Sequence, residues 1–131
     1  MKENLVMAEI EAACSHYRFC ILPRNPKTLY TSVWTVPDPD FHAGVLYRQN
    51  VGGFKKGRSF IRLGLPGLAD FSGWRFKDGR RLQIEAKSAK GVLSLDQIAH
   101  RDLCLKTGVL WGLARSYEDC VKLLESWGLK Q

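Results

Sequence analysis

Residues 68–87 read LADFSGWRFKDGRRLQIEAK, two strand-like segments on either side of a Lys77-Asp78-Gly79 turn. Asp-Gly supplies the positive φ that tight hairpins need, so Leu68–Trp74 and Arg81–Lys87 are predicted to pair antiparallel. Side chains two apart in a strand share a face. That puts Leu82, Ile84 and Ala86 toward a core, and Gln83, Glu85 and Lys87 together on the other side. Outward from the hairpin, Val45–Asn50 and Ser59–Leu63 read as strands around a glycine-rich, basic connection, Gly52-Gly53-Phe54-Lys55-Lys56-Gly57-Arg58. Downstream, Ser94 opens a helix to about Lys106 that Thr107-Gly108 ends. Val109–Ala114 is an uncharged apolar run with the look of a strand covered on both faces. Ser116 then opens a last helix to Trp127, stopped by Gly128.

Upstream, Lys2 to Phe19 reads as a helix. Val6, Ile10, Ala13, Cys14 and Tyr17 form one apolar stripe, and Pro23 and Pro26 end it. Residues 22–43 are irregular, with a short strand expected at Tyr30–Val36. The predicted order is α–β–β–β–β–α–β–α, an α/β (α+β) mixed sheet flanked by helices. The chain has 131 residues, one domain's worth, and residues 22–43 have the character of an insertion.

The composition is 45% hydrophobic and 25% charged, which excludes a disordered tail or a disulfide scaffold. The 20 Lys and Arg against 13 Asp and Glu give +7, enough to concentrate polyanions, nucleic acid before an acidic membrane surface. Net charge kept for solubility explains the surplus equally well. Cys14, Cys20, Cys104 and Cys120 show no metal-binding spacing and fit a reducing, cytoplasmic setting. The longest uncharged stretch, Thr28 to Pro37, is ten residues, against about 18 or more for a membrane span.

Antiparallel pairing across the hairpin can bring Asp70 and Glu85 into one small volume. Two carboxylates held together repel unless a cation sits between them. Hard oxygen ligands suit Mg²⁺ or Mn²⁺, with Lys87 alongside to orient or deprotonate a water. Alternatively, Glu85 and Lys87 form a surface pair on a solvated strand, worth roughly 0–1 kcal/mol.

The run GLPGLADFSGWRFKDGRRLQIEAKSAKGVLSLDQ resembles the core of the VRR-NUC nucleases, a branch of the PD-(D/E)xK superfamily. The matching positions are Gly64, Pro66, Gly67 and Asp70, then Glu85-Ala86-Lys87, Gly91, and Leu93-Ser94 with Gln97. Upstream, Arg48, Asn50 and Gly52 resemble the family's R-x-N-x-G. The likeness covers roughly residues 45–128. It implies a restriction-endonuclease-like fold and a Mg²⁺- or Mn²⁺-dependent endonuclease. In that reading Asp70, Glu85, Lys87 and Gln97 are catalytic, and Glu3, Asp70, Glu85 and Ala86 form the metal set. Stand-alone bacterial or phage members resemble Holliday-junction resolvases and act as homodimers on branched DNA. Trp111, Trp127 and residues 22–43 offer surfaces for such a dimer.

Such nucleases carry a further metal-associated Glu on the first helix. At about 100° per residue Glu3 falls on the Val6/Ile10/Cys14 stripe, while Glu9 and Glu11 lie to either side. Glu3 is therefore the first choice and Glu9 the second. A first-turn Glu favoured by the helix dipole would look the same. Gln97 is open between two roles, closing a capping box with Ser94 and pointing to the site. His100 reads as structural or DNA-facing. Nucleic-acid contact falls to Arg48, Asn50, Lys55, Lys56, Arg58, Arg62 and Lys90, through phosphates rather than bases. A catalytically inactive nuclease fold that binds DNA is the alternative, and a basic domain docking onto another protein a third.

Overall fold

A computed structural model of the chain describes residues 2–22, 37–49, 53–62 and 67–131. Helix α1 (Glu3–His16) buries Val6, Ile10, Ala13 and Cys14 completely, and Tyr17 follows them into the core. The helix stops at His16, short of Phe19. Arg18 takes a left-handed φ of 69°, which turns the chain, and Phe19–Ile21 forms strand β1. A non-glycine residue in that region has no sequence signature, which is why the expected helix ran too far.

Strand β2 (Gly44–Arg48) lies parallel to β1, with Phe19 opposite Gly44. Neighbouring parallel strands need a crossover of a dozen or more residues. Residues 22–43 join these two parallel strands. The strand expected at Tyr30–Val36 falls outside the described residues. Strands β3 (Gly53–Lys56) and β4 (Ser59–Arg62) form a separate hairpin, so four residues of the basic connection expected at 52–58 are themselves a strand.

β5 (Phe71–Arg75) pairs antiparallel with β2 and with β6 (Arg81–Ala86), as the Asp-Gly turn predicts; Gly79 has φ 71°. Helix α2 (Leu95–Thr107) follows, then β7 (Leu110–Ala114) parallel to β6, and α3 (Tyr117–Ser126). The five-stranded mixed sheet runs β1-β2-β5-β6-β7. The architecture is mixed α/β, with two strands, β1 and β3, beyond the expected order.

Leu46, Phe71, Leu82, Ile84, Ala86 and Ala114 pack with the inward residues of α1 and α3 into one core. The opposite face is covered too. Gln83 and Glu85 are buried, Glu85 to 2% exposure, with side chains of α2 bonded to both. That burial excludes the solvated surface pair for Glu85. Trp127 sits in the core and is not a free dimer surface. All four cysteines are buried. Among the described residues, no helix is long and apolar enough to cross a membrane.

Candidate acidic site at the end of the central hairpin

β6 ends where β5 begins, and the first turn of α1 reaches the same corner. Phe71 pairs with Ile84, so Asp70 stands one step further along, beside Glu85. The approach to β5 is fixed by Gly67. It has φ 83°, and a Cβ there would lie 2.3 Å from the Asp96 carbonyl oxygen, so only glycine lets this turn lie against the start of α2. Asp70 Oδ2 accepts the Ala86 backbone N–H at 2.9 Å, which ties its carboxylate to the end of β6. Ala86 enters the site through its backbone; its methyl belongs to the core.

Glu3, Asp70 and Glu85 each present a carboxylate oxygen, and the three oxygens lie within 4.8 Å of one another. Helical phase brings Glu3 to this corner. The other two acids of α1 have different partners. Glu9 Oε1 accepts the Tyr117 N–H at 3.3 Å, and Glu11 takes the Arg48 guanidinium.

Gln97 performs both roles that its position suggests. Ser94 and Gln97 form a reciprocal capping box: the Ser94 N–H donates to Gln97 Oε1 at 2.9 Å, and the Gln97 N–H to Ser94 Oγ at 3.2 Å. The other end of the same side chain, Nε2, donates to Glu85 Oε1 at 3.1 Å. Glu85 Oε2 is buried and no donor among the described residues reaches it. A proton, a water or a cation would satisfy that oxygen, and a buried acceptor left bare is costly. Burial, then hydrogen bonding with and repulsion from Asp70, push the Glu85 carboxyl up to about 9; Glu3 adds to this and Lys87 partly offsets it.

The shell around the site is equally specific. His100 Nε2 lies 2.5 Å from Gln83 Oε1, and burial lowers its pKa, so His100 holds α2 on the sheet. Arg115, overlooked in the sequence, donates through Nη1 to the Ser88 and Gly91 carbonyls at 2.5 and 2.7 Å. It clamps the turn that follows Lys87 and carries Lys90. Only the parallel register, with Ala114 opposite Ala86, brings it there, and no local pattern signals that.

The expected phosphate contacts divide. Arg58 and Lys90 are exposed. Arg48 is turned inward, ion-paired with Glu11 and 5.7 Å from the Phe71 ring centre, so it serves the packing of α1 rather than a phosphate. Asn50 and Gly52 lie outside the described residues, as do Gly64 and Pro66 of the turn. The backbones of Lys55, Lys56 and Arg62 belong to β3 and β4, and their side chains are likewise outside the description.

No protein-family model, curated protein or solved structure matches the chain. The resemblance to VRR-NUC nucleases therefore rests on this chain's own residues.

Proposed function

We propose that the chain is a divalent-cation-dependent nuclease that hydrolyses phosphodiester bonds in branched DNA, with a PD-(D/E)xK core of the VRR-NUC type. The observation that carries this reading is the convergence of three carboxylate oxygens, one each from Glu3, Asp70 and Glu85, beside Glu85 Oε2, which no donor reaches among the described residues. Oxygen donors in so small a volume suit Mg²⁺ or Mn²⁺. The five-stranded mixed sheet with helices supports the reading as far as fold class, since the core that the resemblance implies is also a mixed sheet flanked by helices.

In this reading Glu3, Asp70 and Glu85 hold the cation. A bound Mg²⁺ or Mn²⁺ supplies Lewis-acid polarisation of a phosphate oxygen and lowers the pKa of a water. The Ala86 N–H aims the Asp70 carboxylate and Gln97 aims that of Glu85. Lys87, whose charge acts on Glu85, places the attacking water and counters charge developing on the phosphate. Arg58 and Lys90, with the net +7, attract the DNA backbone without reading its bases. A two-fold homodimer would set two such sites against the two strands of a four-way junction, in the cytoplasm of a bacterial or phage-infected cell.

The test uses labelled linear, flap and four-way-junction DNA, with Mn²⁺ or with EDTA. The expected outcome is cutting of the junction in Mn²⁺ only, lost in Lys87→Ala while DNA affinity stays within a few-fold. Cutting that persists in EDTA or in Lys87→Ala would overturn the proposal.

A further inference from the structure

At the other end of α1 from Glu3, roughly 20 Å of helix away, a cavity of about 390 Å³ opens between β5, the turn after α1 and the end of α3. Its lining includes Arg18, Lys77, Lys130 and His42, and no Asp or Glu is among the lining residues. Lys77 and Lys130 are exposed and belong to no ion pair among the described residues. Among the described residues the Arg18 side chain spends only Nε on a structural bond, to the Phe41 carbonyl at 2.9 Å, and the rest of its guanidinium is offered to a ligand. The Asp38 N–H donates to His42 Nδ1 at 3.0 Å, so the ring carries its proton on Nε2, a second donor at the cavity wall. Arg75 is different: it is bidentate to Asp78 and donates to the Trp127 carbonyl, so it builds the wall rather than binding a ligand.

The wall is aromatic as well as basic. Phe76 and Trp127 both line the cavity, with Leu129 and Pro39 beside them. Cations around flat apolar surface suit a ligand with a phosphate at one end and a planar ring at the other. The volume falls at the lower end of the range for small-molecule sites, about 300–1,000 Å³. Arg18 also holds φ 69°, a conformation that glycine would adopt without strain.

We infer that this cavity binds a nucleoside monophosphate, its phosphate held by Arg18 with Lys77 or Lys130 and its base against Phe76 and Trp127. This site is independent of the acidic cluster and needs no divalent cation.

Calorimetry on the full chain in EDTA and about 0.15 M salt, where long-range attraction is screened, tests it with AMP, adenosine and inorganic phosphate. AMP is expected to bind once per chain, at least ten-fold tighter than either fragment. Arg18→Gly and the surface variant Lys130→Glu should each weaken AMP ten-fold or more, and Asp70→Asn should leave it unchanged. Absence of AMP binding, adenosine or phosphate binding as tightly as AMP, or affinity untouched by both cavity variants would each overturn the assignment.

Discussion

The Ala86 N–H and the Asp70 carboxylate are joined by a 2.9 Å hydrogen bond, and that bond places Asp70 against Glu85 at the end of the hairpin. Asp70→Asn keeps an acceptor for the N–H and removes one of the charges that raise the Glu85 carboxyl. The variant should melt no lower than the wild type in EDTA and lose DNA cleavage entirely. Calorimetric melting and a cleavage assay check the two halves separately.

Gln97 joins α2 to the site by one side chain. Gln97→Ala removes half of the capping box and the only donor to Glu85 among the described residues, so a loss of about 1–2 kcal/mol is expected, read from urea unfolding. Gln97→Glu preserves an acceptor for the Ser94 N–H and adds a fourth carboxylate beside Glu85. It should be less stable than the wild type in EDTA and regain part of that loss in Mn²⁺.

The Glu85 carboxyl, raised to about 9, gives the fold a definite pH dependence. The folded chain holds this proton where the unfolded chain has released it, so the contribution is complete below the ordinary carboxyl range. It falls as pH rises from there toward about 9. A divalent cation bound as proposed would have to displace the same proton. Mn²⁺ should therefore raise the melting temperature more at pH 8.5 than at pH 6, by linkage to the native state. An equal or smaller shift at pH 8.5 contradicts this.

Arg48 and Glu11 are 15% and 27% exposed, a partly buried ion pair tying β2 to α1. Arg48→Ala should cost about 1–3 kcal/mol, with the salt dependence of DNA binding unchanged. Lys90→Glu, at an exposed turn, should do the reverse: little loss of stability and a weaker, less salt-steep affinity.

Much of this arrangement was legible in the sequence because it depends on local rules. The Val6 to Tyr17 stripe, the Asp-Gly hairpin and the Ser94–Gln97 box each follow from periodicity or turn chemistry within a few residues. Glu3 could be chosen over Glu9 and Glu11 because helical phase is also local. What escaped depends on distant pairing. β1 follows a left-handed arginine and owes its existence to β2. β3 carries Gly53 and two lysines, yet the ladder with β4 holds it extended. The covering of Gln83 and Glu85 by α2 turns an alternating strand into one buried on both faces. Arg48 reads as a phosphate contact until its partner, 37 positions away on α1, is known.

Direct titration of Mn²⁺ into wild type and Asp70→Asn, followed by calorimetry and by the paramagnetic signal of the free ion, bears hardest on the convergence of Glu3, Asp70 and Glu85. Saturable binding to the wild-type chain, at least ten-fold weaker in Asp70→Asn and in Glu3→Gln, is the predicted result. Equal Mn²⁺ binding by all three proteins, or none by the wild type, would contradict the account.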